Sequence, residues 1–197
     1  LTAGAAEGQS ADLLSRIDEP TADAVMPVLE AAARDSLPVE ALESKVLEGV
    51  AKRVPPQRIG RAVAELADEL RRVRSTLRGR LPTTSFTDAE IVAAARAVRQ
   101  GVDLEVIADL WTVRIDRMPL EVPVTVLGEL VRRGIPVEEA SEVMMHVVRS
   151  DVPLHVAAQI PGRFDGALGA GVTPVDALTQ ALRTLEIPNP PGRRPGG

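Results

Sequence analysis

The chain has 197 residues with 45% hydrophobic content, enough for one or two small domains with a real core. Cysteine is absent, which excludes disulfides, thiolate metal ligands, cysteine nucleophiles and iron–sulfur clusters. A net charge of -5 argues against a general nucleic-acid binder, which normally carries a basic footprint, and no apolar run approaches the ~20 residues that span a bilayer.

The chain opens at Leu1 with the small-residue stretch Thr2-Ala3-Gly4-Ala5-Ala6. This reads as the new end left by removal of an export signal, so a periplasmic or secreted location is expected, with a cytoplasmic one as the alternative. Residues 1–9 lack periodicity and are expected to be a flexible terminus.

A step of the form apolar-Pro-x-acidic then recurs. Leu37-Pro38-Val39-Glu40, Val54-Pro55-Pro56-Gln57, Val102-Asp103-Leu104-Glu105, Met118-Pro119-Leu120-Glu121, Ile135-Pro136-Val137-Glu138 and Val152-Pro153-Leu154-His155 are variants of it, and Val172-Thr173-Pro174-Val175-Asp176 is a last copy with a small insertion. Pro38 and Pro55 stand 17 residues apart, as do Pro119 and Pro136, and Pro136 and Pro153. Proline is favoured at the first helical position, where its missing N–H is an orphan anyway, and an acid in the first turn faces the positive end of the helix dipole. The residue before proline leaves the α region, so the preceding helix has ended. Gly101 and Gly134 supply the expected glycine just past a helix end.

From the proline position, apolar residues fall at +1, +4, +8 and +12, the stripe of an amphipathic helix. They are Val39, Leu42, Val46 and Val50 in one copy, Leu104, Ile107, Trp111 and Ile115 in another, and Val137, Ala140, Met144 and Val148 in a third. The expected fold is therefore all-α: short antiparallel helices in a right-handed helical-repeat, α-solenoid-like array with about 17 residues per helix.

Two places depart from the pattern. After Pro55 the stripe runs on through Ile59, Val63, Leu66, Leu70, Val73 and Leu77, predicting one helix of double length ending near Gly79. Residues 80–86 then read as a linker between an N-terminal half, 10–79, and a C-terminal repeat half, 87–187. Thr87-Asp88-Ala89-Glu90 reads as a capping box. Pro161-Gly162 is expected to break the helix that starts near Pro153. The tail 188–197, Pro-, Gly- and Arg-rich, cannot form a helix or a strand and is expected to lie along a partner or stay extended.

The chemistry-bearing residues have structural explanations. His146 and His155 could hold a metal only with ligands such as Asp151 or Glu142 converging on them, and no recognised ligand spacing is present. Glu40, Glu105, Glu121 and Glu138 are first-turn acids that recur with the repeat, so none stands out as a catalytic acid. Gly166-Ala167-Leu168-Gly169-Ala170-Gly171 resembles a phosphate loop but does not follow a strand, and its small residues are expected to let helices approach closely. Trp111, Met144 and Met145 could line an apolar ligand cavity, yet they sit at core spacing.

No cofactor, metal or small-molecule ligand is predicted. What remains is a basic cluster, with Arg71, Arg74 and Arg78 on one face of the long helix, and Arg193 and Arg194 in the tail. Cations near a helix C-terminus complement its dipole. Their functional reading is contact with an acidic protein partner or with anionic lipid headgroups at a membrane surface. The expected function is a non-enzymatic protein–protein interaction module, an accessory or stabilising subunit of a larger envelope or membrane-associated complex. The alternative is a hydrolase or lyase with an acidic cleft between the two halves.

Overall fold

The computed structural model describes residues 12–114, 118–150 and 152–187. The expectations for residues 1–9, for Ile115 and Asp151, and for the tail with Arg193 and Arg194 fall outside the described residues. Among the described residues every regular element is a helix. The helices are α1 Glu19–Arg34, α2 Val39–Ala51, α3 Pro56–Arg80, α4 Asp88–Arg99, α5 Leu104–Thr112, α6 Glu121–Arg132, α7 Val137–Arg149, α8 Leu154–Ala157, α9 Ile160–Leu168 and α10 Pro174–Thr184. The chain divides into two compact units, the first running to Ser75 and the second beginning at Thr76, so the dividing point falls inside α3.

Five of the seven copies of the repeated step, and Ile187 after α10, share one closing turn. The N–H of an apolar residue reaches back five positions to a helical carbonyl: Leu37 to Ala32, Val54 to Gly49, Val102 to Ala97, Ile135 to Leu130, Val152 to Val147 and Ile187 to Leu182, all at 2.9–3.2 Å. This is the long bond of a Schellman cap, which satisfies a helix-end carbonyl that would otherwise be orphaned. The apolar residue is buried in each case except Val54, which is half-buried. Burying it turns the chain toward the core, and the proline or aspartate that follows opens the next helix.

A Schellman cap needs a left-handed residue just before the apolar one. Gly101 at φ 100° and Gly134 at φ 89° fill the place predicted for them. Ser36, Arg53 and Glu186, at φ 54–57°, fill the same place without being glycine. A side chain there costs roughly 1–2 kcal/mol relative to the right-handed region, so Arg53→Gly and Glu186→Gly are each expected to raise stability by up to about 1 kcal/mol. Gly134→Val should lower it by at least about 1–2 kcal/mol, since a β-branched residue tolerates positive φ worst. Urea midpoints of the three variants check both signs.

In four copies the helix opens one residue later than expected, just after the step's first proline. Pro38, Pro136 and Pro153, with ψ of 84°, 143° and 133°, and Pro55 are the residues before the helix, while Pro56 and Pro174 are themselves first helical residues. A φ near -60° serves an extended residue as well as a helical one. The carbonyls of Pro136 and Pro153 accept helical bonds from Ala140 and Ala157. Glu40, Glu105, Glu121, Glu138 and Asp176 all lie in first turns, as the dipole argument requires.

Burial follows the predicted stripes. Leu42 and Val46, Ile107 and Trp111, and Ala140, Met144 and Val148 are buried, while Val39, Val50, Leu104 and Val137 are half-buried at helix ends. Along α3 the buried residues are Ile59, Val63, Ala67, Leu70, Val73 and Leu77. Leu66 is half-buried, and the core position belongs to Ala67 because the helical step from Val63 is four. Within the second unit α4 packs on α6, α6 on α7, and α9 on α10.

At the start of α4 the predicted capping box is present: Thr87 Oγ1 accepts the Glu90 N–H at 3.2 Å, and Glu90 Oε2 accepts the Thr87 N–H at 2.9 Å. Glu90 does more. It is buried, and its second oxygen, Oε1, accepts the N–H of Leu120 at 3.0 Å, with Arg114 Nη1 at 3.9 Å. One carboxylate thus ties the start of α4 to the start of α6. Pro161 breaks the helix as expected: α8 ends at Ala157, and Pro161 sits in the first turn of α9, where its missing N–H does no harm.

Candidate functional site

Arg71, Arg74 and Arg78 follow one another at steps of three and four along α3, which places them on a common face. Arg71 is engaged inside the first unit. Its Nε and Nη2 donate to Asp35 Oδ2 at 3.0 and 2.9 Å, and its Nη1 donates to Asp68 Oδ1 at 2.6 Å. Asp35 is the residue that closes α1, so the guanidinium bridges α1 and α3. The bond to Asp35 is the main cause holding the Arg71 guanidinium above its usual pKa.

Arg74 is half-buried and its Nη1 has no hydrogen-bond partner among the described residues, whereas Arg78 is exposed. Arg80, at the helix end, reaches Glu105 at 3.2 Å and Asp109 at 3.8 Å, both on α5. The cluster is therefore divided: Arg71 and Arg80 hold neighbouring helices, and Arg78 offers its charge to solvent.

A second charged network lies within the second unit. Glu129 on α6 accepts from Arg132 Nη2 at 2.7 Å, from Arg133 Nη1, and from Gln100 Nε2 of α4 at 3.0 Å. Arg133 also grips Asp165 of α9 through Nε and Nη2, at 2.7 and 3.0 Å. This fork-to-fork geometry is the strong form of an arginine–carboxylate pair. Hydrogen bonds from Arg132 and then Arg133 hold the Glu129 carboxyl down at about 2, and Arg133 holds Asp165 below the usual carboxylate range. Carboxyls so depressed are ionised near neutrality and have no proton to donate to a substrate.

Both shifts are downward, so their stabilisation is complete above the ordinary carboxylate range and is lost as pH falls through it, for Glu129 from about 4.5 toward 2. Arg133→Ala should cost about 1–2 kcal/mol at neutral pH and make the acid side of the stability curve shallower. Urea denaturation at several pH values between 7 and 3 measures both.

His146 is half-buried on α7 with Nε2 3.5 Å from Ser150 Oγ, and His155 is exposed on α8. Among the described residues no group of three or more His, Cys, Asp or Glu is placed to hold a metal ion. Trp111 and Met144 are buried in the core and Met145 is half-buried. Trp111 meets the Phe86 ring edge-on at 5.4 Å, closing the 80–86 segment onto α5.

A cavity of about 260 Å³ opens between α9 and α10, lined by Gly162, Arg163, Gly166, Ala167, Ala170, Gln180 and Thr184. Among the described residues no carboxylate lines it. Among the described residues a Cβ added at Gly162, Gly166 or Gly171 would meet nothing within 4 Å, so Gly166 and Gly171 do not serve the close helix approach expected of residues 166–171. Close approach occurs elsewhere, at Gly49, Gly60 and Gly128. The four-residue spacing of Gly162 and Gly166 is visible in the sequence, but nothing local points to Gln180 and Thr184 as the opposite wall. Val172 and Val175, exposed at 36% and 41%, flank the turn into α10.

Compared with known proteins, the chain matches no family model, no curated protein and no solved structure.

Proposed function

We propose that this protein is a non-enzymatic interaction module, an accessory or stabilising subunit of a larger envelope or membrane-associated complex, in which the helices act as a right-handed repeat array that holds another polypeptide. The observation that carries this reading is the recurrent Schellman turn: one joint closes six helices among the described residues, and its apolar residue is buried in five of them. A joint reused in this way is how repeat proteins stack short helices, and the usual work of such stacks is to present a surface to a partner. The division of the arginine cluster supports it further, since Arg78 is exposed, whereas Arg71 is already taken by Asp35 and Asp68 and Arg74 is half-buried.

Mild extraction from the native source, followed by size exclusion, tests this reading. The protein is expected to elute with a second, reproducible polypeptide. Arg78→Glu should weaken that association while shifting stability by no more than about 0.5 kcal/mol, because the residue is exposed. Elution as a free chain from every mild extraction would overturn the proposal.

A further inference from the structure

We draw no further inference here: the strongest candidate, the cavity between α9 and α10 floored by Gly162 and Gly166, is a stripe of small residues, and nothing in the structure shows what covers it.

Discussion

Gly128→Val is expected to destabilise the second unit by about 3 kcal/mol or more, because part of the obstacle is the Ala97 backbone, which cannot swing away. A Cβ at residue 128 would stand 3.0 Å from Ala97 Cα and 3.2 Å from Ala97 Cβ on α4, and it would overlap Gln100 Oε1. Gln100 could move aside only by giving up its bond to Glu129. Alanine, which removes a helix-interior glycine and gains up to about 1 kcal/mol of helix propensity elsewhere, should still lose here. The matching site in the first unit is Gly60, where a Cβ would lie 2.7 Å from the Ala24 carbonyl oxygen. Gly162→Ala and Gly166→Ala are the controls. Both are helical and open, so both should gain up to about 1 kcal/mol. Chemical denaturation of the four alanine variants gives the comparison. A loss at residue 162 equal to that at 128 would contradict the packing described.

Glu90→Ala carries the second largest expected effect, about 2–4 kcal/mol. It removes the acceptor for Thr87 N–H, and it strands the buried N–H of Leu120, whose desolvation then goes uncompensated. Glu90→Gln separates the two roles. A glutamine keeps one acceptor oxygen, so it can serve one N–H and must present its amide to the other. Its loss should fall between zero and that of the alanine variant. Amide exchange at Thr87 and Leu120 shows which bond survives. If Glu90→Ala were neutral, the carboxylate would not be the tie between α4 and α6.

How legible these features are in the sequence differs by cause. Pro38, Pro136 and Pro153 mark helix starts because proline has a single φ, and Gly101 and Gly134 mark helix ends because glycine tolerates positive φ. Ser36, Arg53 and Glu186 perform the same task invisibly, since the strain is offset by packing of the apolar residue after them, buried at Leu37 and Ile187 and half-buried at Val54, and not by any preference of their own. The Thr87–Glu90 capping box is local and readable. Glu90's bond to Leu120 is not, because it joins residues 30 positions apart.

The candidate site was less readable for the same reason. The spacing of Arg71, Arg74 and Arg78 fixes a common face, but the partners that occupy Arg71 and Arg80 come from Asp35, Glu105 and Asp109 on other helices. The glycines show the limit most sharply. Gly128 and Gly166 are both helical glycines, and only the tertiary fold decides that one meets α4 while the other faces open space.

The proposal that this chain works by holding another polypeptide is tested most directly by photo-crosslinking in the native cell, with the probe placed in turn at Arg78, at Gln180 and at the buried control Leu127. The account predicts a discrete heavier adduct from at least one exposed position and none from Leu127. Recovery of only the uncrosslinked chain from both exposed positions, together with its elution as a free monomer, would contradict it.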